Sequence, residues 1–351
     1  MQQVEVLIVG QGMAGTALAV ELINRKVSFK VIDNNHYQSS SIMSAGMYNP
    51  IVFKRITKSW LADESKSFLN RFCETITSLL DESFHKITPV ARLFNDLQEQ
   101  NTWFEKMDSP LFEAYLNDEI IALPSTVNTA SGYGIVSQAG DMQLRELLPK
   151  FQKWLTQNNL LTTGLFDFKK LTAFENKWKY GDIVAKQVVF CEGFNAINNP
   201  YFNYLPIKPN KGQLLVVNCP KLDLTCVLNA GFFIQPLGNN NYRIGSTYEW
   251  DVTDDTPTED KKMELVNKFK AIVDLPFKVI EHTAGIRPTV LDRRPLIGEH
   301  PINNGLYIFN GFGTKAVMLA PYCANELCDS IFENKTLDKE ININRYNKLF
   351  E

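Results

Sequence analysis

The stretch that decides the fold is Val4-Glu5-Val6-Leu7-Ile8-Val9-Gly10-Gln11-Gly12-Met13-Ala14-Gly15, near the start of a 351-residue chain. Its first six residues are almost wholly apolar and end at a glycine, which predicts a buried parallel strand. Apolar residues recur at helical spacing after Gly15,. A second strand-like run, 27–32, ends in Asp33. The stretch therefore predicts a strand–turn–helix–strand unit at the N-terminus.

The three glycines of this turn each have a physical role in binding a dinucleotide. Gly10 allows the tight turn, Gly12 lets the backbone approach a pyrophosphate, and Gly15 lets the helix pack closely on the strand. The pyrophosphate then lies at the helix N-terminus, whose free N–H groups favour an anion. Asp33 is placed to accept hydrogen bonds from ribose hydroxyls. The alternative is a glycine turn with an incidental aspartate, and the turn alone does not distinguish NAD from FAD.

Composition and charge exclude several classes of protein. A net charge of −3 argues against a dedicated binder of nucleic acid or anionic membranes,. With 44% hydrophobic and 21% charged residues, the chain is typical of a globular protein of about two domains,. The N-terminal segment has no basic region before its apolar run, and no apolar run reaches about 18 residues, so we expect a cytoplasmic protein without a membrane span. No metal site is expected, because no metal-ligand spacing is visible among the six cysteines and His36, His85, His282 and His300,.

Further along the chain, helical and strand-like patterns alternate. Helices are predicted from Trp60 to about Leu80, from Met142 to Gln157 with Asp141 as its cap, over 258–272, and from about Lys315 to Phe332,. Strands are predicted at 186–190, 213–217, 232–235, 242–245 and 306–310, and residues 90–135 are predicted as short strands and loops,. We therefore expect a discontinuous nucleotide-binding domain of residues 1–80, 136–204 and 285–351, with residues 81–135 and 205–284 forming a β-rich second domain.

The C-terminal half carries the most specific motifs. Residues 285–288 are Gly-Ile-Arg-Pro, residues 292–298 are Asp-Arg-Arg-Pro-Leu-Ile-Gly, and residues 311–321 are Gly-Phe-Gly-Thr-Lys-Ala-Val-Met-Leu-Ala-Pro. Together with segments 44–50, 189–193, 211–213, 245–247 and 305–307, their order and spacing resemble the D-amino-acid oxidase/glycine oxidase family of FAD-dependent oxidoreductases over nearly the whole chain. The resemblance implies a mixed α/β fold, with a β-rich substrate domain inserted into a Rossmann-type, glutathione reductase-like FAD domain.

The resemblance and the N-terminal turn together imply a set of FAD contacts. They are Gly10, Gly12, Met13, Ala14, Gly15, Asp33, Asn34, Ser41, Ala45, Gly46, Met47, Cys191, Glu192, Gly193, Gly285, Gly311, Phe312, Gly313, Thr314 and Lys315. Gly311 and Gly313 are expected to expose N–H groups toward the flavin pyrimidine at the start of a helix.

One acidic residue and the positions of the cysteines bear on how these contacts would hold FAD. Glu192 stands where relatives carry a small or hydroxylic residue, and an acid beside a pyrophosphate is unfavourable, so its side chain is expected to point away. Sarcosine oxidase attaches its flavin through a cysteine just before the C-terminal glycine segment. This chain has no cysteine between Cys226 and Cys323, so the FAD is expected to be non-covalent.

Arg287 is the residue expected to bind the substrate. Pro288 holds it extended, and a guanidinium binds a carboxylate through two parallel hydrogen bonds. The resemblance gives this arginine that role, and a structural ion pair is the alternative. Lys315 lies where sarcosine oxidase uses a lysine for the substrate carboxylate, with a solvated lysine as the alternative. Tyr48 and Tyr248 are expected at the flavin or substrate, with simple packing as the alternative.

The resemblance implies oxidation of the C–N bond of a small amine or amino acid. The α-hydrogen leaves as hydride to the flavin N5, position and orientation carry most of the catalysis, and water hydrolyses the imine. Two alternatives stay open. One is removal of a tRNA wobble-uridine substituent; the other is a flavin-binding protein without catalysis. Lys54, Arg55 and Lys58 are expected to lie on a solvated face, with a positive rim that attracts an acidic substrate or an RNA phosphate as the alternative. The sequence does not decide between O2 and another electron acceptor.

Overall fold

Two large β-sheets with helices packed against them form the protein in a computed structural model that describes residues 1–35, 39–117 and 121–350. In chain order the strands are β1 (Gln2–Val9), β2 (Phe29–Asp33), β3 (Met47–Tyr48), β4 (Ile51–Val52), β5 (Thr57–Lys58), β6 (His85–Ile87), β7 (Val90–Leu93), β8 (Leu116–Asn117), β9 (Tyr133–Val136), β10 (Gly140–Met142), β11 (Leu161–Thr163), β12 (Leu171–Phe174), β13 (Lys177–Tyr180), β14 (Ile183–Phe190), β15 (Ile207–Asn218), β16 (Val227–Asn229), β17 (Phe233–Gly238), β18 (Asn241–Gly245), β19 (Glu249–Trp250), β20 (Lys278–Val290), β21 (Leu296–Glu299) and β22 (Leu306–Asn310). The α-helices are α1 (Met13–Asn24), α2 (Ser40–Met43), α3 (Glu64–Leu80), α4 (Leu97–Met107), α5 (Leu144–Gln157), α6 (Glu259–Ile272) and α7 (Ala316–Glu333), and the 3-10 helices are Phe168–Lys170, Gly193–Asn198 and Ile343–Leu349.

The first sheet contains the strand–turn–helix–strand unit predicted at the N-terminus. Its strands run in the order β11-β2-β1-β14-β13-β12, and β22 pairs with β14 and β21. Because β1, β2 and β14 are parallel, with Val9 opposite both Ile32 and Phe190, their carboxyl ends meet at one edge. The edge of a parallel sheet beyond its carboxyl ends is where such folds bind ligands.

The helices of this half pack around α1, which is apolar on nearly every side. Helix α1 contacts α3, α5 and α7, and its buried residues join the largest core cluster. A helix that is apolar all round must be covered on all sides. Helix α7, three hundred residues later in the sequence, therefore supplies part of the cover that α1 requires.

The second sheet has nine strands, ordered β19-β15-β18-β17-β16-β7-β9-β8, with β20 on the other side of β15. Leu265, Val266 and Phe269 of α6 are buried in the core cluster of this sheet. Strands β15 and β20 pair along their whole length, so that residues 285–290 belong to this sheet. Residues 285–290, expected to open the last segment of the nucleotide domain, thus pair within the second sheet.

The structure corrects two local predictions. Helix α5 begins at Leu144 rather than Met142, because Asp141 lies in β10, where its carboxylate accepts a hydrogen bond from the Thr88 hydroxyl instead of capping the helix. Helix α4 lies within residues 90–135, which were predicted as short strands and loops. It buries only Trp103 among its own residues, so its apolar periodicity is too weak to reveal a helix.

No helix in the described ranges combines the length and the apolarity that a bilayer crossing requires. Likewise, residues 1–35, 39–117 and 121–350 hold no group of three or more His, Cys, Asp and Glu side chains placed for a metal ion. His36, one of the histidines considered above, lies outside those residues. All six cysteines are free, and all except Cys73 are buried.

Candidate active site

A cleft of about 940 Å³ opens between the carboxyl edge of the first sheet and the second sheet. Its volume is at the upper end of the range for cofactor and ligand sites. Most of the predicted FAD contacts line it: Gly10, Gly12, Met13, Ala14, Asp33, Asn34, Ser41, Ala45, Gly46, Met47, Cys191, Glu192, Gly193, Gly285, Phe312, Gly313 and Thr314. Gly15, Gly311 and Lys315 are not among its described lining residues. Residues far apart in the sequence thus share one cavity.

The glycine turn after β1 leaves no room for side chains. Gly10 has φ +98°, and a Cβ there would lie 2.7 Å from the Cys191 carbonyl oxygen. A Cβ on Gly15 would lie 1.9 Å from the Gly10 carbonyl oxygen, so Gly15 acts beneath the turn rather than in the cleft wall. Gly12 provides no side-chain cap for α1, and the first turn of the helix carries no acid. The N-terminus of α1 is therefore suited to an anion.

Asp33 is held firmly at the end of β2. Its Oδ2 accepts a hydrogen bond from the Gln11 N–H at 2.8 Å, and its Oδ1 accepts one from the Asn35 N–H at 2.9 Å. Its Oδ1 also accepts a hydrogen bond from the Gln152 side chain at 3.3 Å. Each carboxylate oxygen has two lone pairs, so Oδ2 can accept a further hydrogen bond from a ligand. The position beside the glycine turn agrees with the ribose-binding role expected for it.

Glu192 is half-buried and belongs to the residues that line the cleft, and its Oε2 accepts a hydrogen bond of 2.7 Å from the side chain of the buried Asn199. Burial raises the pKa of this carboxyl to about 7, against the opposing effect of the Asn199 hydrogen bond. The parallel pairing of β14 with β1 forces this position, because it brings the residues after Phe190 beside Gly10.

The second glycine segment is arranged differently from the prediction. The Gly311 N–H donates to the Asn310 side chain at 2.8 Å, and the Gly313 N–H donates to the Pro288 carbonyl at 3.1 Å. Neither N–H is therefore free for a ligand. Helix α7 begins at Ala316 without a side-chain cap, and Ala316 and Val317 line the cleft. The N–H groups of its first turn replace those of the glycines as the donors available there.

Arg287 lies in β20 and lines the cleft. Its Nη1 donates to the Asn210 side chain at 2.8 Å and to the Thr247 carbonyl at 3.4 Å, and its Nη2 donates to the Ser246 hydroxyl at 2.8 Å. These bonds use three of the five guanidinium N–H groups. A Cβ on Gly212 would lie 1.9 Å from Nη2, so only glycine fits beneath the guanidinium.

The charge of Arg287 has no acidic partner among the residues that the structure describes. In the part of the chain that the structure describes, no Asp or Glu lies within salt-bridge distance of it, which excludes the structural ion pair considered above within those residues. Burial lowers the pKa of this guanidinium from its ordinary value, although an arginine stays charged at neutral pH. A half-buried cation in a cleft, without an acidic partner among the described residues, is suited to binding an anion,.

Of the other three substrate candidates, Tyr248 lines the cleft, whereas Tyr48 and Lys315 are not among its described lining residues. Tyr248 lines it, and its ring stacks on the Arg287 guanidinium with 4.8 Å between the guanidinium carbon and the ring centroid. Tyr48 does not line it: its hydroxyl hydrogen-bonds the His85 ring at 2.9 Å, and burial raises its pKa. Lys315 precedes α7, also outside the lining, and burial, with Arg294 and Arg293 nearby, lowers its pKa.

The sequence did not point to two parts of the cleft wall. One is the turn between β16 and β17, which contributes Asn229, Gly231, Phe232 and Phe233. The Arg92 side chain donates to the Asn229 side chain at 2.8 Å and so holds this turn in place. The other is the segment Gly164–Phe166 with Phe168, beside the Asp33 end of the cleft. Gly231 marks a turn in the sequence, but no local pattern says which cavity a turn covers.

Comparisons with known proteins agree with this arrangement. The sequence model of the family described as FAD dependent oxidoreductase (DAO) matches residues 5–330. Glycine oxidase from Pseudomonas putida is 34% identical over 342 residues, which cover 90% of this chain and 91% of that protein. The crystal structure of glycine oxidase from Geobacillus kaustophilus has a TM-score of 0.78 to this fold at 18% identity, and the match covers 99% of this chain and 98% of that one.

A third relative bears on the tRNA alternative. The bifunctional tRNA 5-methylaminomethyl-2-thiouridine biosynthesis protein of Burkholderia pseudomallei is 22% identical over 322 residues. The match covers 84% of this chain but only 48% of that protein. It is more distant than the glycine oxidase of Pseudomonas putida.

Proposed function

We propose, from the premise that this chain belongs to the DAO family of FAD-dependent oxidoreductases, that it oxidises the C–N bond of a small amine or amino acid that carries a carboxylate. The observation that carries the proposal is the Arg287 guanidinium, which lines the cleft without an acidic partner among the described residues. Membership of an oxidoreductase family argues against the non-catalytic alternative.

The residues of the cleft fit the cofactor. We assign the diphosphate to the N-terminus of α1 at Gly10 and Gly12, the adenosine ribose to Asp33, and the flavin pyrimidine to the N-terminus of α7. A side chain on Gly10 would overlap the Cys191 carbonyl, so this cradle needs its glycine. When bound, FAD supplies the two-electron acceptor for the oxidation.

The FAD is proposed to be held without a covalent bond. Cys191 is the one cysteine among the described residues that line the cleft, and burial raises the pKa of its thiol well above the ordinary value. A thiol that stays protonated is a poor nucleophile. Among the noncovalent contacts, the backbone N–H groups at the N-termini of α1 and α7 would hold the negatively charged parts of FAD.

Arg287 would orient the substrate. The Nε–H and one Nη2–H remain after the three hydrogen bonds described above, enough for the two oxygens of a carboxylate. Asn210, Ser246 and Tyr248 fix the guanidinium, so the bound carboxylate would have a defined direction relative to the cofactor. Lys315 and Tyr48 have no part in this proposal because neither lines the cleft.

The charges of the cleft favour a small substrate over tRNA. Among the described lining residues, Arg287 is the one cation, beside the acids Asp33 and Glu192. A polyanion such as tRNA needs several cations, and its binding weakens steeply as the salt concentration rises. Of the proposed RNA-attracting rim, Lys58 is already paired with Asp63.

The proposal is tested by anaerobic mixing of the FAD-loaded protein with a panel of amino acids and N-alkyl glycines, each beside its decarboxylated amine. We expect the flavin absorbance to bleach with at least one carboxylate-bearing amine and much more slowly with the matched amine. Equal rates for the two members of every pair would refute the role of Arg287. Repeating the reaction in air separates an oxidase from a dehydrogenase.

Gly212→Ala tests whether the position of the Arg287 guanidinium matters, without altering Arg287 itself. The new Cβ would lie 1.9 Å from Nη2, so the guanidinium must move, and a displacement of about 1 Å can lower catalysis by about 100-fold. We expect a fall in kcat/KM for the carboxylate substrate, with FAD content and thermal stability close to those of the parent. A variant with unchanged kcat/KM would show that the exact position of Arg287 does not matter.

A further inference from the structure

Glu192 is a half-buried acid that the proposed function does not use. It comes two residues after the end of β14, and the N–H of its neighbour Cys191 donates to the Val9 carbonyl at 2.7 Å. A Cβ on Gly10 would lie 3.5 Å from the Glu192 Cα. The residue thus lines the cleft next to the glycine turn, where the diphosphate of FAD is proposed to lie.

Only one protein group supports the charged form of this carboxyl. The Asn199 side chain, itself fully buried, donates to Oε2 at 2.7 Å. Within residues 1–35, 39–117 and 121–350, no lysine or arginine pairs with Glu192 and no second donor reaches it. An ionised carboxylate without compensation is costly in such surroundings, so the neutral form is favoured.

The elements packed around Glu192 contribute no other charge that would explain its state. The glycine turn Gly10–Gly12 and the 3-10 helix Gly193–Asn198 carry no ionisable side chain. Burial keeps the pKa of the neighbouring Cys191 thiol well above its ordinary value. The Asp33 carboxylate, which also lines the cleft, is held by the Gln11 and Asn35 N–H groups. A negative charge at Glu192 would repel a diphosphate bound at the glycine turn.

We infer that Glu192 binds the diphosphate of FAD as a neutral carboxylic acid, by donating its proton in a hydrogen bond, so that the protein retains its cofactor less tightly in alkaline solution. This inference rests on the proposed placement of FAD at the glycine turn. A protonated carboxyl is a hydrogen-bond donor, and such bonds to anionic oxygens are among the stronger ones in proteins. An acid at this position, unfavourable when charged, is then a ligand when neutral.

The sign of the pH dependence follows from linkage. In the cofactor-free protein the carboxyl has a pKa of about 7, and a bound diphosphate raises that pKa further because it opposes a second negative charge. Below pH 7 the acid is neutral in both states, and the affinity is constant. Above pH 7 the binding of FAD must take up a proton, so the Kd rises by about tenfold per pH unit until the pKa of the bound state is reached.

The experiment measures the Kd of FAD for the cofactor-free full-length chain from pH 6 to pH 8, by quenching of flavin fluorescence. We expect the Kd of the parent to rise about tenfold over this range. Glu192→Gln, whose amide is a neutral donor at every pH, should bind as tightly as the parent at pH 6 and about tenfold more tightly at pH 8. The matched control is Glu146→Gln, an exposed acid in the first turn of α5, which should follow the parent.

The comparison of variants also assigns the titrating group. A slope that persists unchanged in Glu192→Gln belongs to another group, such as His36, and overturns the inference. Weaker binding of Glu192→Gln at pH 6 overturns it too, because the carboxylate would then be an acceptor. Should this variant fail to fold, Asn199→Ala removes the donor that favours the charged carboxyl and should shift the rise in Kd to higher pH; an unshifted rise contradicts the inference.

The two proposals fail in different ways. FAD that binds with the expected pH dependence but is reduced by no amine refutes the proposed function alone. FAD that binds equally well at pH 6 and pH 8 and is reduced by an amino acid refutes the role of Glu192 alone.

Discussion

Arg287→Ala is expected to lower kcat/KM for a carboxylate-bearing amine by about 10²–10⁴-fold while the protein keeps its FAD. The guanidinium is proposed to make two charge-assisted hydrogen bonds to the substrate, each worth about 1.5–3 kcal/mol, and every 1.4 kcal/mol or so is a factor of about ten. Cofactor retention follows from the position of Arg287 in the nine-stranded sheet, apart from the glycine turn. Steady-state kinetics and anaerobic flavin reduction measure the effect.

Two further variants make this result specific. Arg287→Lys keeps the charge but loses the two-pronged geometry, so we expect its kcat/KM to lie between those of the parent and Arg287→Ala. Arg55→Ala removes an exposed arginine outside the cleft lining and should leave kcat/KM unchanged. If Arg287→Ala reduces its flavin at the parental rate with every carboxylate substrate, the substrate is held elsewhere.

Gly15→Ala is expected to abolish practical FAD binding and to destabilise the fold. The added Cβ would lie 1.9 Å from the Gly10 carbonyl oxygen, and backbone atoms cannot rotate away as a side chain can. Overpacking of this kind typically costs about 1–3 kcal/mol of unfolding free energy. The helix must also move away from the turn that is proposed to hold the diphosphate, and a loss of about 3 kcal/mol in binding raises the Kd by about 100-fold.

Denaturant unfolding and the flavin content of the purified protein measure the two effects of Gly15→Ala. The control is Gly181→Ala, where no heavy atom lies within 4 Å of the new Cβ but φ is +58°. It carries the strain of a left-handed backbone, about 1 kcal/mol, without a clash and away from the cleft lining. Gly15→Ala with parental FAD content would show that the helix–strand contact does not position the cofactor.

The residues that sequence analysis placed well are those whose role is local. Gly10, Gly12 and Asp33 belong to one continuous strand–turn–helix–strand unit, and backbone geometry within such a unit fixes where they lie. The motif around Arg287 was informative for a different reason, because it is part of a long and specific resemblance to a known family. The DAO family match over residues 5–330 confirms that family. Both kinds of signal are carried by continuous segments.

The predictions that failed depend on contacts between distant segments. Tyr48 is turned toward His85 because β3 pairs with β10, whose residues lie about ninety positions later in the chain. The Gly313 N–H is used by the Pro288 carbonyl, a partner that no glycine pattern reveals. In each case the deciding neighbour is set by tertiary structure.

The packing of α7 against α1 has a consequence for the order of folding. The helix that follows the glycine turn near the N-terminus is covered by a helix of residues 316–333, so a ribosome must release almost the entire chain before this contact can form. Contacts between such distant segments slow folding because a long loop must close first. We therefore expect flavin fluorescence in a refolding experiment to change in the last kinetic phase, after most secondary structure has formed by circular dichroism. Cofactor uptake would then report the packing of α7 on α1 rather than the formation of the N-terminal unit.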